Sequence, residues 1–107
     1  LPAGKIDDGE LHLQTAQREL REEAGVCAST WRSLGDMVSS PGVFKERVYL
    51  HLATDLELVS AELEAEEVLE VHWLDWEVAI TMALDNTITD AKTVIALLRA
   101  QALLSDA

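Results

Sequence analysis

Hydrophobic positions recur at helical spacing in three parts of the chain. From about Leu13 to Ala24 the apolar residues fall on one face of a helix, and Gly25 supplies a stop signal. Helical spacing returns near residues 75–84 and again over residues 90–104, where Asp90 is placed to act as N-cap. These patterns predict three helices.

The segments between these helices have the character of strands. Residues 26–38 are rich in β-branched, aromatic and small side chains, which predicts one or two strands. Apolar and other residues alternate over residues 48–53, a period of two that predicts a strand with one buried face. A further strand is predicted over residues 68–74, and residues 1–9 have the pattern of a strand end followed by a loop. The order of elements predicts an α/β or α+β sandwich.

The composition suits a single domain over residues 1–107, because 49% of the 107 residues are apolar and supply a core. Twenty acidic and eight basic residues give a net charge of −12, which argues against binding nucleic acid through a basic surface. The single cysteine, Cys27, excludes an internal disulfide. Without a signal-peptide pattern or a membrane-spanning apolar run, we expect a cytoplasmic protein that does not bind membranes.

Three glutamates crowd into little more than one turn of the first predicted helix. Glu19 and Glu23 are four residues apart and share a helix face, and Glu22 lies beside them. Because like charges at this spacing repel, the cluster predicts a bound cation, and oxygen ligands favour Mg²⁺ or Mn²⁺. Arg18 is placed to reach back to Glu10 and tie the preceding loop to the helix.

The spacing of these residues is similar to a known signature. The positions Gly4, Glu10, Arg18-Glu19-Leu20, Glu22-Glu23 and Gly25-Val26 resemble the complete Nudix box. Further likeness points to the ADP-ribose pyrophosphatases within that family, and it lies in Leu1-Pro2-Ala3-Gly4, in Pro41, in residues 66–71 and in residues 88–97.

The resemblance implies a Nudix α/β/α sandwich with a mixed sheet and a Mg²⁺-dependent reaction. Water would attack one phosphorus of a nucleoside diphosphate sugar such as ADP-ribose and cleave the pyrophosphate bridge. By family likeness, Glu19, Glu22, Glu23 and the Ala3 carbonyl would bind metal, and Glu22 would assist catalysis or hold a metal-bound water.

The resemblance also implies an acidic residue from a distant loop, which positions or deprotonates the water. Glu67 is the first choice for this base and for a further metal contact. Glu66 and Glu64 are close enough in sequence to leave the assignment open, and Glu46 is a weaker candidate near the site. A plain surface role is the alternative for each member of this acidic segment.

Other polar and aromatic residues have ordinary structural interpretations. The histidines His12, His51 and His72 are scattered without metal-ligand spacing. Cys27 is expected to be a buried inert thiol. Core or dimer contacts are expected for the three tryptophans, Trp31, Trp73 and Trp76, rather than stacking on a base.

The chain starts with Leu1, so we expect it to begin partway through a longer coding sequence and to lack the N-terminal strands of the Nudix sandwich. An incomplete sheet exposes strand edges, which predicts a homodimer, including a strand-exchanged form. Two alternatives follow. In the first alternative to an ADP-ribose hydrolase, the chain is a Nudix hydrolase whose substrate is another nucleoside diphosphate derivative. In the second, it is a truncated, non-catalytic Nudix module that binds a partner.

Overall fold

Three helices and two strands make up the fold in the computed structural model, which describes residues 1–39, 46–59 and 71–105. Along the chain they are α1 (His12–Ala24), β1 (Val26–Val38), β2 (Arg47–Leu58), α2 (Trp76–Leu84) and α3 (Ala91–Ser105). β1 and β2 pair with each other, and the contacts of Thr30 with Asp55 and of Asp36 with Arg47 show that they run antiparallel. The predicted mixed α and β class is confirmed.

The chain divides into two compact units. The first contains residues 1–32 and 53–72, and the second contains residues 33–52 and 73–107. The helix α1 belongs to the first unit, and α2 and α3 belong to the second. The prediction of a single domain stays a prediction.

In the first unit, local hydrogen bonds set both ends of α1. At its start, the Gln14 side chain accepts a hydrogen bond from the backbone N–H of Leu11 at 2.9 Å, which is half of a capping box. At its end, Gly25 adopts the left-handed conformation with φ of 65°, and its N–H donates to the Arg21 carbonyl. The Gly25 carbonyl accepts from the N–H of Val59 at 2.8 Å, which ties the end of the helix to the segment after β2.

In the second unit, α3 packs on the hairpin. Ala96 and Ala100 of α3 are buried against Leu34 of β1 and Leu50 of β2. The small alanine side chains let the helix approach the sheet closely, and partly buried apolar residues surround this contact: Met37, Val48, Leu52, Ile95 and Leu103. The alternation predicted for β2 is confirmed, because Val48, Leu50 and Leu52 all face this core.

The guanidinium of Arg99 fixes α3 to β1. Its Nη1 donates to the carbonyls of Leu34 and Asp36 at 3.0 and 2.9 Å. Between them, Gly35 has a φ of 83°, which favours glycine. Asp36 is also paired with Arg47 across the hairpin at 2.6 Å.

The two C-terminal helices begin at aspartates. The Asp75 carboxylate accepts from the N–H of Glu77 at 3.0 Å, and the Asp90 carboxylate accepts from the N–H of Thr93 at 2.9 Å. The predicted N-cap at Asp90 is therefore confirmed. None of the helices in the described ranges is both long enough and apolar enough to cross a membrane.

Two expectations from the sequence are wrong. Residues 1–7 contain no strand, and residues 71–75 are irregular where the end of a strand was predicted. A strand needs a hydrogen-bonded neighbour, and the sheet of the described residues contains β1 and β2 alone. Trp73 and Trp76 are 64% and 37% exposed in this chain, so of the two expected roles the dimer contact stays a prediction for them.

Candidate active site

The site is organised by an ion pair that joins the loop before α1 to the helix itself. Arg18 Nε donates to Glu10 Oε2 at 3.1 Å, and Arg18 Nη2 donates to Glu10 Oε1 at 3.1 Å. This two-pronged geometry holds the planar guanidinium in one orientation. The contact that the sequence predicted between Arg18 and Glu10 is confirmed.

Further contacts to Glu10 and Arg18 draw in the rest of the loop. Arg18 Nη2 also lies 3.3 Å from the Lys5 carbonyl and 3.5 Å from the Asp7 carboxylate. The backbone N–H of Asp7 donates to Glu10 Oε1 at 3.2 Å. The loop is thus gathered around one guanidinium, which offsets part of the entropy cost of ordering a glycine-bounded segment.

Thr15 holds the Glu10 carboxylate through a hydrogen bond. Its side chain is buried, with 5% of the residue exposed, and its hydroxyl donates to Glu10 Oε1 at 2.6 Å. Hydrogen bonds from Arg18 and then from Thr15 favour the charged carboxylate and lower the pKa of Glu10 to about 2. The same ion pair raises the pKa of Arg18, so both groups are charged at neutral pH.

The remaining donor of Arg18 is directed at the glutamate cluster. Arg18 Nη1 donates to Glu19 Oε1 at 2.7 Å and lies 3.4 Å from Glu22 Oε2. Only 13% of the Glu19 side chain and 28% of the Glu22 side chain are exposed. One guanidinium therefore links the loop carboxylate to two carboxylates of the cluster and offsets their mutual repulsion.

The loop also contacts the cluster directly. The backbone N–H of Ala3 donates to Glu23 Oε2 at 2.9 Å. Gly4 passes so close to Glu19 that a Cβ at this position would overlap the Glu19 side chain, with Cγ only 2.7 Å away. Any side chain at position 4 would displace Glu19. This close approach explains why the motif has a glycine at this position.

The donor chemistry of this cluster fits a hard divalent cation. Its carboxylates offer oxygen ligands, and Glu19 Oε2 and Glu22 Oε1 have no hydrogen-bond partner among the residues described. However, no group of three or more acidic, histidine or cysteine side chains within the described ranges is arranged to hold a metal ion. The assignment of Ala3, Glu19, Glu22 and Glu23 as metal ligands stays a prediction.

Several residues named from the sequence are not among the contacts above. Glu64, Glu66, Glu67 and Pro41 fall outside the described residues, so the choice of catalytic base stays a prediction. Glu46 is exposed and directly precedes β2, where its carbonyl accepts from the N–H of Ser39 at 2.9 Å.

The sequence interpretation missed Thr15. In the sequence, a threonine near the start of a helix is an ordinary residue of moderate helix propensity. The role of its hydroxyl becomes visible only when the structure shows that it donates to Glu10. Its position four residues after Leu11 gives a weak signal, because the hydroxyl also lies 3.3 Å from the Leu11 carbonyl.

Comparison with known proteins agrees with this geometry. The profile described as NUDIX domain matches residues 1–98. An ADP-ribose pyrophosphatase of Bacillus subtilis is 35% identical over 99 residues, which cover 91% of this chain and 54% of that protein. A methanol dehydrogenase activator of Bacillus methanolicus is also 35% identical, over 98 residues that cover 90% of this chain and 53% of that protein.

A solved structure shares the fold. A crystal structure described as an ADP compounds hydrolase superposes with a TM-score of 0.78 at 29% identity, over 94% of this chain and 55% of that chain. The predicted fold class is confirmed by this likeness. The chain spans about half the length of the curated relatives it matches.

Proposed function

This chain belongs to the NUDIX domain family, and on that basis we propose that it forms the catalytic part of a hydrolase for ADP-ribose or a related nucleoside diphosphate sugar. The reaction consumes one water, breaks one P–O bond of the diphosphate bridge, and releases a nucleoside monophosphate and a sugar phosphate. With ADP-ribose the products are AMP and ribose phosphate. The names of the ADP-ribose pyrophosphatase and the ADP compounds hydrolase support this class of substrate.

The observation that best supports the proposal is that one arginine, Arg18, contacts carboxylates of both the loop and the helix. Its guanidinium spans Glu10 in the loop and both Glu19 and Glu22 in the helix, while Ala3 bonds Glu23. Carboxylates held in this way are pre-oriented, and pre-orientation is a large part of catalysis at diphosphates. A surface cluster without function does not require this set of contacts.

We propose that Glu19, Glu22 and Glu23, with the Ala3 carbonyl, hold Mg²⁺, for which Mn²⁺ can substitute. When bound, the cation supplies charge neutralisation of the diphosphate and lowers the pKa of the attacking water. Glu22 lies beside the other two and is proposed to hold a water through its free oxygen. Glu67, with Glu66 and Glu64 as alternatives, is proposed to accept the proton of that water.

Hydrolysis assays with ADP-ribose, a second nucleotide sugar such as UDP-glucose, and a dinucleoside diphosphate test the substrate class. Each substrate is incubated with Mg²⁺ and, separately, with EDTA. We expect Mg²⁺-dependent release of AMP from ADP-ribose at a higher kcat/KM than for the other two. Equal kcat/KM values for all three substrates would contradict a preference for ADP-ribose, but the protein would still be a hydrolase.

A matched pair of substitutions tests the site. Glu23→Gln removes one charge from the cluster and should reduce turnover by roughly 10²-fold or more, because a neutral amide is a poor ligand for a hard cation. Glu77→Gln makes the same chemical change on the exposed start of α2 and should leave turnover unchanged.

The second candidate is a non-catalytic partner-binding module, which the name of the Bacillus methanolicus relative favours. The same two variants separate the candidates. A binding module has no Mg²⁺-dependent hydrolysis to lose, and Glu23→Gln leaves its partner affinity intact.

A further inference from the structure

Among the residues that the structure describes, Thr15 of α1 is the one buried polar residue, with 5% of its surface exposed. A buried hydroxyl costs free energy unless it is hydrogen bonded, and threonine has a lower helix propensity than alanine. Thr15 lies three residues before Arg18 and four before Glu19, so it shares a helix face with both. The buried hydroxyl therefore lies within one helical turn of the glutamate cluster.

The single proton of the Thr15 hydroxyl is directed at Glu10. Oγ1 lies 2.6 Å from Glu10 Oε1 and 3.3 Å from the Leu11 carbonyl, so the bond to Glu10 is the shorter one. The Leu11 carbonyl already accepts the helical hydrogen bond from the Thr15 N–H at 3.1 Å. A carboxylate is also the stronger acceptor of the two, because charge-assisted hydrogen bonds are stronger than those between neutral groups.

Thr15 gives the ion pair of Glu10 and Arg18 a fixed point on the helix. The two hydrogen bonds of the pair hold these side chains relative to each other, but both side chains are long and turn about several bonds. The side chain of threonine is short, and its branched Cβ restricts rotation. The Glu10 side chain is 17% exposed and that of Arg18 is 30% exposed, so Thr15 is the most buried of the three.

The guanidinium of Arg18 transmits this fixed position to Glu19. Glu10 Oε1 accepts from both Thr15 Oγ1 and Arg18 Nη2. Because the guanidinium is planar and rigid, a displaced Glu10 would turn the whole group and move Nη1 away from Glu19. Three successive hydrogen bonds of 2.6, 3.1 and 2.7 Å thus connect Thr15 to Glu19.

We propose that Thr15 is a positioning residue, whose hydroxyl holds Glu10 and, through Arg18, fixes the Glu19 carboxylate for cation binding and catalysis. This role depends on the proposed hydrolase function. Thr15 acts in it only through other side chains and makes no contact with the substrate or the cation. Loss of the hydroxyl should therefore reduce the affinity for the cation and the rate of reaction of bound substrate, while the affinity for ADP-ribose is retained.

Thr15→Val removes the hydroxyl and keeps the branched shape of the side chain. At saturating Mg²⁺, kcat for ADP-ribose should fall about tenfold, at the lower end of the usual effect of losing a residue that orients a metal ligand. KM should change by less than about twofold, because no contact with the substrate is lost. Thr15→Ser restores the donor and should recover most of the lost kcat.

The affinity for Mn²⁺ alone gives a readout that does not depend on turnover. EPR spectroscopy measures free Mn²⁺ during titration of each variant in the absence of substrate. Thr15→Val should raise the Kd for Mn²⁺ about tenfold, because Glu19 is less well placed as a ligand. Thr15→Ser should bind Mn²⁺ more tightly than Thr15→Val.

Thr81→Val is the matched control. The Thr81 hydroxyl donates to the Glu77 carbonyl at 3.0 Å, but the residue is exposed on α2, in the second unit. This variant should leave both kcat and the Mn²⁺ affinity unchanged. Thr15→Ala also lacks the hydroxyl, and alanine has the higher helix propensity, so it repeats the test if valine prevents folding. Urea unfolding shows which variants are folded.

A purely structural role for Thr15 predicts a different result. Thr15→Val would then lose stability but keep the wild-type kcat and Mn²⁺ affinity, which would overturn the positioning role. A Thr15→Ser variant as impaired as Thr15→Val would also overturn it, and in both cases the proposed hydrolase function would stand. A wild-type protein that neither binds Mn²⁺ nor hydrolyses ADP-ribose would instead overturn the proposed function, and the role of Thr15 with it.

Discussion

Arg18 and Glu10 form a two-pronged ion pair across eight residues of sequence, with both N–O distances at 3.1 Å. The third nitrogen of the same guanidinium, Nη1, contacts Glu19 at 2.7 Å. The loop and the glutamate cluster therefore share one rigid, planar group, and the position of one depends on the other.

Arg18→Lys should separate charge from geometry. The lysine keeps the positive charge, but a single ammonium cannot span Glu10 and Glu19 together. Misplacement of Glu19 by about 1 Å is expected to lower kcat for ADP-ribose roughly 100-fold. The control is Arg47→Lys, in an exposed ion pair with Asp36, which should change stability little and leave kcat unaltered. Equal kcat in the two variants would refute the orienting role of Arg18.

Glu10→Gln should alter the pH dependence of stability. The pKa of Glu10 is lowered from 4.5 to about 2 by Arg18 and Thr15, so the charged form is favoured in the folded state. The stabilising contribution is therefore fully present above pH 5 and is lost as the pH falls from about 4.5 towards 2. Urea unfolding of both proteins between pH 7 and pH 2.5 measures the difference, which should shrink over that window. A difference in unfolding free energy that does not change with pH would contradict stabilisation by the charged form of Glu10.

Gly4→Ala should impair the site with little effect on the fold. The new Cβ would overlap Glu19, whose flexible side chain can rotate away at a cost of about 1 kcal/mol. Glu19 would then lose its contact with Arg18, and we expect turnover to fall at least tenfold while the urea midpoint changes little.

Gly9→Ala is the matched control for Gly4→Ala. Gly9 has a φ of 79° and open space around its Cβ position, so alanine adds backbone strain of about 1–2 kcal/mol but contacts nothing. Stability should fall while turnover of the folded protein stays unchanged. If Gly4→Ala instead lowered stability and Gly9→Ala lowered turnover, glycine would be needed at position 4 for its backbone conformation and not for the close approach to Glu19.

Asp90→Ala should destabilise the protein by about 1 kcal/mol, because Asp90 caps α3 through the Thr93 N–H and hydroxyl. Asp90→Asn retains an acceptor and should cost less. Thermal unfolding of the three proteins at pH 7 gives the comparison. Equal losses for Ala and Asn would show that the charge of Asp90, which also lies 3.0 Å from Lys92 Nζ, outweighs its capping bond.

Local patterns were sufficient for most of the elements. Helical spacing and the stop at Gly25 predict α1 to within one residue at its start, and Asp90 correctly predicts the beginning of α3. The strand end expected within residues 1–9 is absent, and residues 71–74, the described part of the strand expected over residues 68–74, are irregular, because strand formation depends on a neighbour that local composition does not reveal.

The sequence by itself determined the crowding of three glutamates on α1 and the partnership of Arg18 with Glu10, because both follow from residue type and from positions close together in the chain. Only the tertiary structure revealed that Thr15 supports Glu10 and that Gly4 lies against Glu19. These relationships depend on how a loop returns to the helix, and helical periodicity carries no information about that path.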